Sequence, residues 1–454
     1  MTTESAAKPI THKFDKFQTL ATEKGAVRAV AEKMLDLPAQ INPPILGSRT
    51  RIWKQDPSVT ELKLPRTVYV HTEVNDGPSD SQIRIKGVVP VPADVNRDFL
   101  TDPAANVEAF DAVHTYTVVR QVLTFYQRVL KKKLNWQWGQ DNGEQAINVY
   151  PHAGETANAF YSREEKALKF FYFTPFKDSN LTSKVFTCRS LDIVAHETGH
   201  AILDSLKPEW ILWDAPAQTG ALHESFGDLT SIFLILSQLD LVEYIVAETK
   251  ADLHQKNILA ELAEEFGLAF NLRNGLRNAD NNLKLSEVTP EVHDLSQVFT
   301  GGVFDTLADL FTSRRDPYVQ DSAEVLYQTG KYLGEVVLRA IIESPNTNAS
   351  FADVANAMIR IAQTDGNHDY AKFVQKNFEF REVLGPKAFG THIDLSNFGM
   401  YPSRRCACGT MQHPQYRPKA AHLNGINTDG MNGQDTISVG EQRSTGERRS
   451  STSI

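Results

Sequence analysis

Five consecutive residues carry the chemistry: His196-Glu197-Thr198-Gly199-His200. Two histidines four apart, with a glutamate beside the first, can hold a transition metal and move a proton, provided that the stretch is helical. Its flanks predict a helix. Ser190 suits an N-cap, Asp192 suits the first turn, apolar residues continue through Leu203 and Leu206, and Pro208 forbids further helix. On a helix, positions i and i+4 stack on one face, so both imidazoles can offer a nitrogen to one ion. Glu197 lies about 100° round the axis, where its carboxylate reaches a water on the metal and not the metal itself. Catalytic zinc takes three protein ligands and keeps one position for water, so the chain must supply a third. Residues 219–228, Thr-Gly-Ala-Leu-His-Glu-Ser-Phe-Gly-Asp, lead into an apolar run at 229–236 and predict a second helix capped by Thr219. Glu224 is the expected third ligand. Asp228 stands four residues further on, so one carboxylate can bind the ion while the other holds a ligand histidine by its free N–H.

HExxH followed within a few dozen residues by ExxxD resembles the gluzincin metallopeptidases, and among them the thermolysin-like family. The resemblance continues in Asn158-Ala159-Phe160-Tyr161, which is similar to that family's Asn-Ala-aromatic edge strand, and in Asn106 through Tyr126, which is similar to the long helix that opens its catalytic domain. It implies zinc held by His196, His200 and Glu224, with Asp228 supporting His196 and Glu197 as the general base. It further implies Asn158 and Ala159 as binders of substrate main chain, His293 as a donor to the oxyanion, and Arg277 as a binder of a substrate carbonyl beside an apolar pocket. Two of these roles have rivals in the sequence. An alignment through Thr300-Gly301 moves the histidine slot to Gln297, and Arg273 sits in the same Leu-Arg-Asn context as Arg277. One element of the family pattern is missing, because residues 201–223 contain no tyrosine and carry Trp210 and Trp213 instead. An indole can donate one hydrogen bond, although such tryptophans more often pack. His223 falls off the ligand face and reads as packing or as support for a ligand, while His114 and His152 read as structural.

Behind the motif stands a chain of 454 residues, 41% of them apolar, enough for more than one hydrophobic core. The expected fold is α+β: a two-lobed zincin with a sheet-rich N-terminal lobe, a mainly helical C-terminal lobe, and the zinc helix at the floor of the cleft. The expected divisions are an extension over 1–100, a sheet-rich lobe over 101–206, a helical lobe over 207–400 and a disordered tail over 401–454. Within them the pattern predicts a helix at 26–35, a linker at 38–44, and strands at 66–72, 147–150 and 168–173. An edge strand at 157–161 could accept a peptide as an extra strand. Further helices are expected over 221–241, 242–266, 301–312, 323–344 and 351–361.

A net charge of −9, with Lys131-Lys132-Lys133 the densest basic run, argues against nucleic acid as a partner. The most apolar run, 232–236, is too short to span a bilayer. The first residues show no positive or apolar segment of the secretory kind, and three cysteines build no disulfide framework, so a cytoplasmic location is expected, with non-classical release as the alternative. Calcium lacks an Asp-x-Asp-x-Asp-Gly loop, and Asp280-Asn281-Asn282 is the stretch that offers oxygen ligands. The function expected is a zinc-dependent endopeptidase acting on peptides or proteins. The alternative is a weak or inactive zinc-stabilised binding protein on the same scaffold, with the tail available to a partner.

Overall fold

A computed structural model describes residues 47–140, 145–177, 179, 181–272 and 275–386; the helix expected at 26–35, the linker at 38–44, Arg273 and the tail from 401 lie outside the described residues. The chain divides into two units, Met1–Leu46 and Gly47–Ile454, and every described element belongs to the second. Its strands come early. Strand β1 (Ser48–Ile52) pairs antiparallel with β2 (Arg66–Val70), placing Ser48 opposite Val70. Strands β3 (Ile83–Ile85), β4 (Ile147–Tyr150), β5 (Ala159–Ser162) and β6 (Ala167–Phe170) form one four-stranded sheet in the order β3-β4-β6-β5. Strands β3, β4 and β6 are parallel, and β5 returns antiparallel at the edge with Ala159 opposite Phe170. Alternate residues of β4 are buried, as a half-buried strand requires.

Against this sheet lies helix α1 (Val107–Leu130), started by the Asn106 side chain accepting from the Ala109 N–H and ended by Lys131 in the left-handed region. Two short strands, β7 (Tyr172–Phe173) and β8 (Val185–Phe186), then lead to α2 (Leu191–Leu206). From there helices dominate: α3 (Ala217–Leu236), α4 (Leu239–Thr249), α5 (Glu264–Ala269), α6 (Val292–Arg314), α7 (Ser322–Glu343), α8 (Phe351–Thr364) and α9 (His368–Phe380). One strand pair interrupts them, β9 (Glu261–Leu262) with β10 (Arg277–Asn278). The fold is thus α+β, with small sheets in the N-terminal part and helices in the C-terminal part. Helix α2 packs on α1 and β5 on one side and on α3 on the other, and α3 packs in turn on α6. Among the described residues, no single helix is long and apolar enough to cross a membrane.

Several boundaries differ from those the sequence predicts. Helix α3 begins at Ala217 with Pro216 in the cap position, and Thr219 lies inside it, its hydroxyl donating to the Ala349 carbonyl. The single helix expected over 242–266 is broken: Lys250 and Ala251 turn left-handed, with φ of 52° and 61°, and the Asn257 side chain accepts from the N–H groups of Leu259 and Ala260. Helix α6 starts nine residues before the expected 301, at Val292, because the Glu291 carboxylate caps it by accepting from His293 and Asp294 (301 − 292 = 9). Glutamate is an uncommon N-cap, which hides that start in the sequence.

Candidate metal centre

Helix α2 opens as its sequence implies, with the Ser190 hydroxyl accepting from the Ile193 N–H at 3.2 Å. It crosses α3 at an unusually close approach. A Cβ on Gly199 would meet the Thr230 hydroxyl at 2.7 Å, and one on Gly227 would meet the His196 ring at 2.6 Å, so these two glycines are what let the helices touch. At the crossing, His196, His200 and Glu224 converge, all buried, with ligand atoms within 4.8 Å of one another. His196 Nε2 stands 3.5 Å from Glu224 Oε2, and His200 Nε2 stands 3.6 Å from Glu224 Oε1. Ligands of a tetrahedral zinc at about 2.0–2.1 Å lie about 3.4 Å apart, so this spacing suits one small ion. The buried His196 Nε2 has no hydrogen-bond partner, which is what a ligand nitrogen requires. The residues present therefore fit zinc.

Charge is arranged around the ligands. His196 Nδ1 pairs with Asp228 Oδ1 at 2.9 Å, fixing the tautomer that leaves Nε2 for the ion. Burial would push the Asp228 carboxyl up, but the Arg277 guanidinium and His196 outweigh it and hold the carboxyl below its ordinary value. Glu224 behaves alike: burial opposes ionisation, yet His293 and His200 hold it well below the usual range. For His196, burial opposes the charged form, but the bond to Asp228 and the nearby Glu224 carboxylate raise it to about 10. Metal binding must displace that proton, so affinity should fall with acidity. Burial instead pushes His200 well below its ordinary value and His223 down to about 3.

Arg277, expected to meet substrate, spends two nitrogens on Asp228, Nε at 3.0 Å and Nη2 at 2.5 Å. It still lines a cavity of about 20 Å³ beside His196 and Glu197, walled by Ile193, Leu262 and Leu276. His293 joins the site from the first turn of α6, its Nε2 3.4 Å from Glu224 Oε1 and its Nδ1 against the Glu291 carboxylate. Asn158 immediately precedes β5, and its side chain accepts from the Ala159 N–H at 2.9 Å. Trp210 is packing: it is fully buried and its indole N–H donates to the Pro345 carbonyl.

Nothing in the sequence reveals the tie between β5 and Glu197. The Tyr161 N–H on β5 donates to Glu197 Oε2 at 3.1 Å, and the Tyr161 hydroxyl donates to Asp204 Oδ2 at 2.6 Å. Asp204 lies about two turns further along α2 than Glu197. Arg163 also binds Asp204, so the edge strand is fastened to the metal helix at two levels. A second group has no signature in the sequence either. Asp56, Asp192, Glu261, Glu264 and Glu265 come together from distant segments, Asp56 accepting from the Glu265 N–H and Asp192 from the Ala263 N–H. Burial and mutual repulsion raise Glu264 to about 9; burial and Asp56 raise Glu265 to about 8. One oxygen each of Asp56, Asp192 and Glu264 is buried without a hydrogen-bond partner. Buried together, these groups need protons to stay uncharged. The stretch that the sequence offers for calcium is otherwise engaged: Asp280 pairs with His254 at 2.8 Å, and Asn281 Oδ1 accepts from Arg381 and Leu283.

The α+β fold thus carries a buried cluster of two histidines and one glutamate whose spacing could hold a metal ion. No family model matches the chain, and no curated protein matches it. Among solved structures it is similar to the precursor of protealysin, a metalloproteinase from Serratia proteamaculans, at 16% identity and a TM-score of 0.44, covering 67% of this chain and 85% of that one. At that overlap the functional reading rests on the residues of the site.

Proposed function

We propose that the chain is a zinc-dependent endopeptidase in which His196, His200 and Glu224 hold the metal. Zinc, when bound, supplies Lewis acidity and a water acidified toward neutral pH. Glu197 accepts the proton of the attacking water and passes it to the leaving nitrogen. The observation that carries this reading is the Glu197 carboxylate itself, beside the ligand cluster and pinned by the Tyr161 N–H at 3.1 Å. A metal site serving only stability has no need of a carboxylate held there. Among the described residues, strand β5 has one neighbour, β6, and an extended peptide added on its other side competes with Asn158 and Glu197 for the N–H groups of Ala159 and Tyr161. His293 donates to the developing oxyanion. The cavity beside Arg277 is small, about 20 Å³. We read it as suited to a small side chain, narrower than the apolar pocket that the family resemblance implies.

A zinc-stabilised binding protein is the second reading, favoured by the lack of tyrosine in 201–223 and by the commitment of the Trp210 indole to Pro345. Digestion of an unbiased peptide library by wild type and Glu197→Gln, with metal analysis, separates the two. The peptidase reading expects both proteins to bind one equivalent of zinc and the variant to cleave about 10²–10⁴-fold more slowly. Zinc binding with no cleavage by wild type gives the site to the binding protein.

A further inference from the structure

We propose that His223 is a positioning residue that sets the tautomer of His200, accepting through its own bare Nδ1 the proton that His200 carries on Nδ1. The inference rests on the metal reading of His196, His200 and Glu224. His200 Nδ1 and His223 Nδ1 lie 2.6 Å apart, and both rings are completely buried. Their planes are stacked at 29° with centroids 4.8 Å apart. Two nitrogens at that distance share one proton, so one imidazole donates and the other accepts.

The two choices have opposite consequences. If His223 donates, a neutral His200 carries its own proton on Nε2, the nitrogen 3.6 Å from Glu224 Oε1, and cannot ligate there. If His200 donates, its Nε2 is bare and faces the ligand cluster. His223 then bears its proton on Nε2, a buried atom with no hydrogen-bond partner. That far nitrogen is unsatisfied in either arrangement, so burying a histidine here destabilises the fold, and the bond at its near nitrogen is what the position gains. Helix geometry makes the placement inevitable once Glu224 is a ligand. His223 precedes it on α3, roughly 100° round the axis, which turns its ring onto the flank of His200.

The two ligand histidines are therefore held differently. His196 leans on a carboxylate, Asp228, which is itself neutralised by Arg277. His200 leans on a neutral ring, which orients it without adding negative charge. Outer partners of ligand histidines typically govern metal affinity by about 10–100-fold.

The test is zinc affinity, read by competition with a chromophoric chelator, for wild type, His223→Leu and His223→Asn. Asparagine places its carbonyl oxygen near the position of Nδ1 and can accept the same bond, whereas leucine fills the space without an acceptor. The expected result is an affinity loss of about 10–100-fold in His223→Leu, most of it recovered in His223→Asn. Equal affinity of His223→Leu and wild type overturns the proposal, and so does an asparagine variant as weak as the leucine one. Should the leucine variant fail to fold, ¹⁵N correlation spectra of the zinc-loaded wild type decide alone. They should find His200 protonated on Nδ1 and His223 on Nε2, and the reverse tautomers refute the assignment. None of these readouts uses peptide cleavage, so failure of the peptidase reading leaves them intact. A wild type that holds no zinc sinks the metal reading and this inference together.

Discussion

Raising the pH from 5 to 8 should destabilise this fold by several kcal/mol, and Glu265→Gln should remove much of the loss. Glu265 lies in the first turn of α5, where burial and the nearby Asp56 carboxyl raise it to about 8 despite Arg189. A carboxyl whose pKa is raised on folding binds its proton more tightly in the folded state. Below about pH 4.3, the ordinary glutamate value, both states are protonated and the group contributes nothing. Above it the unfolded chain ionises while the folded carboxyl does not, so stability falls until the folded pKa is reached. The slope is about 1.4 kcal/mol per pH unit for one such group, or roughly 4 kcal/mol across three units. That is a large share of the roughly 5–15 kcal/mol by which a whole domain is stable. Glu264, raised to about 9, extends the decline. His223, pushed down to about 3, works in the opposite sense, but its contribution is complete once the pH passes the ordinary histidine value. The interval from pH 7 to 8 therefore isolates the carboxylates. Urea unfolding of the zinc-loaded protein at a series of pH values measures the slope directly. Equal slopes for wild type and Glu265→Gln would refute the reasoning.

Peptides bearing alanine or serine after the scissile bond should be cleaved faster than those bearing leucine or phenylalanine. Leu262→Ala should widen the cavity and shift the preference toward larger side chains by about 1–3 kcal/mol per methylene; an unchanged ranking of substrates would show that this cavity does not receive the side chain. His293→Ala should lower kcat by about 10²–10³-fold while leaving KM nearly unaltered, because its imidazole acts on charge that appears only in the transition state. A kcat within a few-fold of wild type would leave His293 only a structural part in the first turn of α6, bound to the Glu291 cap.

What can be read from the sequence is what depends on neighbours along the chain. Ser190, His196, Glu197 and His200 lie within one helix, so cap, register and facing side chains follow from periodicity alone, and the Ser190 cap bond and the convergence of the two histidines are where that logic puts them. Glu224 and Asp228 obey the same spacing, and Glu224 enters the cluster although Thr219 does not cap its helix. The edge position of β5 is implied by the resemblance of Asn158-Ala159-Phe160-Tyr161 to a known edge strand, and β5 does stand at the end of its sheet. Long-range pairings are hidden because no local pattern encodes them. The Tyr161 N–H on Glu197 is a backbone donor, invisible in side-chain composition, and the carboxylates of Asp56, Asp192 and Glu265 meet only because three remote segments pack together.

Helix α4 shows a second kind of failure. Its polar and apolar pattern runs on past residue 249, and a left-handed turn at Lys250 and Ala251, which are unusual residues for that conformation, ends it. The break has a chemical consequence. A continuous helix over 242–266 would leave residues 261–262 no strand geometry with which to pair β10, and it is β10 that carries Arg277 to Asp228 and so to the back of His196. The strained turn, the strand pair, the guanidinium, the carboxylate and the ligand histidine form one chain of dependence. The metal centre therefore needs a stretch of irregular backbone after α4 as much as it needs the helix that displays its histidines.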